Sequence, residues 1–140
     1  MLPILHFIFS LLLSSLFISK SNFLLILLLI CAGGFLIDID HYLIYFIKTK
    51  NFNLWKGYKF YLNAKHGRNE HVLQIFHTFE FFALVLISCL FFPMMLYFSA
   101  SILLHYILDI LENIFTKNKD YVKVWSILYF IIKKKNSQAF

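Results

Sequence analysis

Asp38-Ile39-Asp40-His41, His77-Thr78-Phe79-Glu80 and His105-Tyr106-Ile107-Leu108-Asp109 are the stretches of this chain whose residue types could do chemistry. Each sets an imidazole against a carboxylate three or four residues away. On a helix that spacing puts both groups on one face, where they can chelate one ion or a neighbouring pair of ions. Helical bundles build metal sites from such inward-facing side chains. Mixed imidazole and carboxylate ligation suits zinc, manganese or iron better than calcium or copper, and the expectation is one or two divalent ions, zinc or manganese first. The expected ligands are Asp38, His41, His77, His105 and Asp109, with Glu112 continuing the last face one turn on. Asp40 points off the face of Asp38 and His41 in a regular helix, so it either supports a ligand from behind or needs a local bend.

These groups sit in unusual company. Five of the seven carboxylates (Asp38, Asp40, Glu80, Asp109 and Glu112) and His41, His77 and His105 lie within or against strongly apolar segments, whereas all thirteen Lys and Arg residues fall outside them. An ionisable group in hydrocarbon costs on the order of several kcal/mol unless it is paired, hydrated or metal-bound. The chain is 61% hydrophobic and 14% charged, with a mean hydropathy of +0.76. Soluble domains carry roughly a quarter charged residues, so this composition excludes an ordinary soluble domain. It predicts an all-α integral membrane bundle, a single domain over residues 1–140 with room for about four spanning helices.

The elements that must position the site are then read from apolar runs and breakers. Spanning helices are expected over 3–18, 23–47, 72–92 and 94–115, with Lys20-Ser21-Asn22 and Pro93 as breaks. Residues 48–71 mix six basic residues with Phe52, Trp55, Tyr58, Phe60 and Tyr61, a composition suited to the headgroup layer. That segment is expected as an interfacial loop, part of it helical. The run 121–132 is short for a crossing and reads as an interface-lying helix. The first segment lacks a basic start and a small-residue cleavage pattern before Lys20, so it is expected to stay in place. Cys31 and Cys89 sit in apolar helices and are expected as small hydrophobes.

With both termini cytoplasmic, twelve of the thirteen basic residues lie inside and only Lys20 outside, which satisfies the positive-inside rule. The three His-carboxylate stretches then fall at one depth, roughly 10 to 15 Å from the cytoplasmic boundary at about 1.5 Å rise per residue. A single such pair is as readily a buried link between helices; three at one depth favour a common site. His6, at the start of the first segment, and His66 and His71, in the basic loop, are expected to be solvated or interfacial.

In order along the chain, Gly33-Gly34-Phe35-Leu36-Ile37-Asp38-Ile39-Asp40-His41, Phe76-His77-Thr78-Phe79-Glu80 and Leu104-His105-Tyr106-Ile107-Leu108-Asp109 resemble the membrane-bound metal-dependent hydrolases, the group that includes the LexA-binding inner-membrane-associated hydrolase of bacteria. The resemblance covers roughly residues 33–112. Many members carry Pro before the first Asp and a His-Arg-Gly-x-x-His-Ser second element. Here Ile37 and His-Thr-Phe-Glu stand instead, similar to a subgroup with His-x-x-Glu. The group is distantly similar to zinc-dependent phospholipase C, an all-helical metallohydrolase, which implies phosphoester chemistry; the resemblance to the membrane-bound group itself implies a prokaryotic inner-membrane location.

The function expected is therefore a membrane-embedded metal-dependent hydrolase acting through a metal-activated water on a phosphoester in a lipid or lipid-linked anionic substrate. Glu80 or Asp40 is the candidate general base or ligand orienter, and Lys65 and Arg68 would steer an anionic headgroup. No nucleic-acid partner is expected, and self-association stays open. Two other classes use the same residues. Intramembrane acids and histidines also mark routes for divalent cations or protons. A small structural or regulatory membrane protein would use them to hold helices together.

Overall fold

The computed structural model describes residues 3–63, 71–116, 122–124 and 126–137. Lys65, His66 and Arg68 lie outside the described residues, as does the side chain of Glu112. Helices dominate, in keeping with the all-α expectation: α1 (Pro3–Ser15), α2 (Phe23–Gly34), α3 (Ile39–Thr49), α4 (Leu54–Asn63), α5 (Phe79–Phe91), α6 (Met95–Thr116) and α7 (Ile127–Ser137). Two three-residue strands, β1 (His71–Leu73) and β2 (Val122–Val124), pair in parallel with His71 opposite Val122. β1 replaces the last residue of the expected 48–71 loop and the first two of the expected 72–92 helix, and β2 replaces helix at the start of the 121–132 segment. β-branched Val72, Val122 and Val124 favour extended backbone there.

Local chemistry sets the element boundaries. α2 ends at Gly33-Gly34, because paired glycines are poor helix formers, and Leu36–Asp38 tighten into a 3-10 turn before α3 resumes. Residues 23–49 together form the one helical stretch among the described residues that is long and apolar enough to cross a membrane; the apolar parts of α1, α5 and α6 are shorter. α3 stops at Lys50, whose left-handed backbone (φ 56°) directs its N–H to Phe46 O at 2.8 Å. Asn53 then caps α4, its Oδ1 accepting from Lys56 N–H at 2.9 Å. A second 3-10 turn, Ile75–His77, is followed by extended Thr78, which caps α5 through Phe81 N–H at 3.3 Å.

The chain divides into two compact units, residues 1–39 with 82–117 and residues 40–81 with 118–140. In the first, α2 packs along α6 and α1. Its interior mixes apolar and polar side chains. Buried beside Ile26, Ile30, Ile37, Val85, Ile102, Tyr106 and Leu108 are His6, Ser10, Ser14, Ser99, Ser101, His105 and Asp109, while Leu12, Leu24 and Leu28 face outward at 59, 69 and 59% exposure. Small residues bring the backbones together. A Cβ on Gly33 would lie 2.5 Å from the carbonyl oxygen of Phe98, and one on Gly34 would collide with Ser10 Oγ. At this contact Ser101 donates to Ile30 O at 2.6 Å, and Ser10 donates to His6 O at 2.8 Å within α1.

In the second unit the glycine of α4, Gly57, lies against the rings of Tyr42 and Tyr45. Tyr45 is buried and meets Phe60 at 5.4 Å between ring centroids. Tyr42 donates its hydroxyl to Phe52 O at 2.7 Å, which closes the corner between α3 and α4.

Neither glycine of α2 should tolerate a methyl group. At Gly33 the obstacle is backbone, so Gly33→Ala must push α6 away and is expected to cost roughly 1–3 kcal/mol. At Gly34 it is the buried hydroxyls of Ser10 and Ser101, both hydrogen-bonded to backbone carbonyls, so Gly34→Ala must break or displace them as well. Thermal unfolding in detergent reads both; equal melting temperatures for Gly33→Ala and the parent would contradict this packing.

Candidate metal centre

The site in the first unit is built on His105, whose ring is fully buried in α6. Its Nδ1 lies 2.8 Å from the carbonyl oxygen of Gly34. A carbonyl only accepts, so Nδ1 must carry the proton, and in the neutral ring the lone pair is on Nε2. That lone pair faces carboxylates. Nε2 is 3.6 Å from Asp38 Oδ1 and 3.7 Å from Asp109 Oδ2. The i,i+4 spacing of His105 and Asp109 thus does what the sequence predicts, and the 3-10 turn after α2 delivers Asp38 to the same ring.

A fourth residue joins them. His6, buried in α1, stacks on the His105 ring with 3.8 Å between centroids and 22° between planes. Its Nε2 lies 3.3 Å from Asp109 Oδ1, and neither of its ring nitrogens makes a hydrogen bond. His6, His105 and Asp109 each offer a ligand atom, all within 4.8 Å of one another, so this buried group can hold a metal ion. The expectation that His6 is solvated or interfacial does not hold. A signal existed: His6, Ser10 and Ser14 recur every four residues and form a polar stripe on an otherwise apolar helix, and all three are buried. Cys31 and Cys89 are free thiols.

Buried donors and carboxylates that converge in this way need positive charge between them. Nε2 of His105 and the oxygens of Asp38 and Asp109 repel unless a cation intervenes, and carboxylates taken out of water cost several kcal/mol each, on the order set by their lost hydration. Two cations fit the chemistry. A proton on Nε2 would make imidazolium, and a divalent metal would take the lone pair and the oxygens as ligands.

The remaining predicted residues belong to the second unit. Asp40 is buried, and its Oδ2 accepts from Phe76 N–H at 2.7 Å while lying 3.2 Å from His77 Nδ1. His77 Nδ1–H therefore points to Asp40, a carboxylate–histidine pairing that fixes the tautomer and directs Nε2 toward any ligand. Asp40 escapes the off-face position of a regular helix because α3 restarts at Ile39. His41 Nδ1 meets the amide nitrogen of buried Gln74 at 2.9 Å, and the rings of His41 and His77 are 5.8 Å apart. Gln74 carries no signal in the sequence, since a lone Gln beside a short apolar run is unremarkable.

His77 and Glu80 do not share a helical face. His77 ends a 3-10 turn and Thr78 is extended, so α5 begins only at Phe79. The reason is Thr78, whose hydroxyl bonds Ile75 O and caps Phe81 N–H. Glu80 turns instead to the start of α7, where Oε1 accepts from the Ser126 hydroxyl at 2.6 Å and from Leu128 N–H at 3.4 Å. Ser126 itself caps α7 through Tyr129 N–H at 3.3 Å. A carboxylate at that position also complements the helix dipole.

Comparison of the chain with protein-family models, with curated proteins and with solved structures finds no match.

The two acids of the second unit should fail differently. Asp40→Ala strands a buried N–H and the His77 ring, at about 1–3 kcal/mol for each orphaned group. Glu80→Ala loosens only the first turn of α7 and should cost less. Thermal unfolding should rank Asp40→Ala well below Glu80→Ala, and hydrogen exchange should show the Glu80 effect confined to α7. A larger loss for Glu80→Ala would contradict these assignments.

Proposed function

We propose that this chain is a membrane-embedded metal-dependent hydrolase that cleaves a phosphoester in a lipid or lipid-linked anionic substrate. The observation that carries the proposal is the meeting of His105 Nε2, two carboxylates and the buried His6 ring in one place. His6, Asp38, His105 and Asp109 are proposed to hold a divalent ion, zinc or manganese, and His41 and His77 to serve a second. Such an ion, when bound, lowers the pKa of its water toward neutrality and polarises the scissile group. Asp40 positions His77, and Glu80 is proposed to be mainly a cap of α7, which leaves proton transfer to the carboxylates beside the ion.

The membrane part of the reading is supported by the serines and histidines buried in the first unit and the large apolar side chains on its surface. A helix bundle that buries serines and histidines while turning leucines outward matches an apolar solvent and not water. The four-span bundle, with both termini cytoplasmic in a prokaryotic inner membrane, extends from this and from the distribution of basic residues. The substrate class is supported by the resemblance of the three His-carboxylate stretches to the membrane-bound metal-dependent hydrolases and, through them, to zinc-dependent phospholipase C.

The proposal is tested on detergent-purified protein by plasma mass spectrometry, followed by a hydrolysis screen over phospholipids and polyprenyl phosphates. The parent should retain at least one equivalent of zinc or manganese, and His6→Ala and Asp109→Ala should each lose it while still inserting into membranes. Release of phosphate or of a phosphorylated headgroup should vanish in the same variants. A parent free of metal after reconstitution, or variants that keep it, would overturn the assignment.

A further inference from the structure

The corner between α3 and α4 shares no residue with the metal centre of the first unit and has a chemistry of its own. From His41 to Asn69 the sequence contains six basic residues and not one Asp or Glu. The fold sorts this segment into two faces. One side of α4 is closed, with Gly57 against Tyr42 and Tyr45, and Phe60 against Tyr45. The other side presents Leu54, Trp55 and Tyr58, spaced three and four residues apart, and the turn before it presents Phe52.

These exposed groups are organised. The rings of Trp55 and Tyr58 stack at 5.6 Å, and Phe52 packs on Phe46 at 4.3 Å. Two of the amines are held over rings, Lys59 Nζ at 5.4 Å from Trp55 and Lys50 Nζ at 6.0 Å from Phe46. The left-handed residue that ends α3 is Lys50 itself, so the turn projects a basic side chain beside the exposed Phe52. Large exposed apolar rings do not suit water, and lysines do not suit hydrocarbon. A layer that offers both apolar acyl chains and negative charge satisfies the two together.

We propose that the α3–α4 corner is a docking surface for an anionic phospholipid membrane surface, with Phe52, Leu54 and Trp55 seated at the level of the acyl-chain boundary and Lys50, Lys56 and Lys59 against the phosphates. The inference rests on the membrane reading above but not on the metal or the hydrolase chemistry. The corner would also concentrate anionic lipid beside a protein whose proposed substrate is of that class.

The test uses full-length protein carrying Trp125→Phe, which leaves Trp55 as the sole tryptophan of the two in the chain. The protein is reconstituted into vesicles of equal parts phosphatidylglycerol and phosphatidylcholine, with brominated acyl chains on one lipid at a time. Trp55 fluorescence should be quenched by both, and about twofold more by the brominated phosphatidylglycerol. Lys50→Gln, Lys56→Gln and Lys59→Gln together should equalise the two while leaving helix content by circular dichroism unchanged. Equal quenching in the parent would overturn the anionic preference, and no quenching by either lipid would place the corner in water and overturn the docking surface. Metal content measured on the same vesicles reads the hydrolase proposal separately, so either can fail alone. Failure of the protein to float with vesicles would overturn the membrane reading and this inference with it.

Discussion

The hydrogen bond from His105 Nδ1 to the carbonyl of Gly34 is the constraint on which the first unit depends. It requires the backbone of α2 to approach α6 closely enough for a ring on one helix to reach a carbonyl on the other. Gly33 and Gly34 permit that approach, because a Cβ at either position would strike α6 or α1. The same pair of glycines ends α2 and frees its last carbonyls from the helical ladder. One carbonyl thereby fixes the imidazole proton on Nδ1, and the 3-10 turn that follows swings Asp38 to the other nitrogen. Helix ending, helix packing and tautomer are three consequences of two residues without side chains.

Three imidazoles are oriented through Nδ1, each by a different partner: His105 donates to a backbone carbonyl, His77 donates to a carboxylate, and half-buried His41 accepts from the carboxamide of Gln74. The carboxylate partner is the most strongly orienting, since it draws the Nδ1 proton and makes Nε2 more basic. It is also the most expensive to bury, and Asp40 offsets that cost with a second hydrogen bond from Phe76 N–H at 2.7 Å. The polar stripe of α1 works differently: Ser10 returns its proton to its own helix at His6 O, so the stripe adds small volume without leaving unpaired hydroxyls.

Part of this was legible in the residues alone. His105 and Asp109 are four apart in an unbroken helix, and helical periodicity alone places them together. The carboxylate Asp38 was also readable, because it follows a glycine pair at the end of an apolar run. Periodicity puts His77 and Glu80 on one face only if the helix is continuous, and the Thr78 hydroxyl starts that helix two residues after His77. A single histidine at the edge of an apolar run looks like an interfacial residue; only the register of His6 with Ser10 and Ser14 marks it as inward. The β1–β2 pairing joins segments about fifty residues apart, and no local pattern of three residues can announce such a partner.

Whether a proton or a metal ion balances the charge at His105 is decided most directly by nitrogen-15 NMR of the histidine side chains in detergent-solubilised protein, with and without added zinc. With zinc bound, His105 is expected to be protonated at Nδ1 only, its Nε2 signal shifted together with that of His6. Two protonated nitrogens on His105, unmoved by zinc, would contradict that expectation and show the carboxylates to be balanced by imidazolium alone.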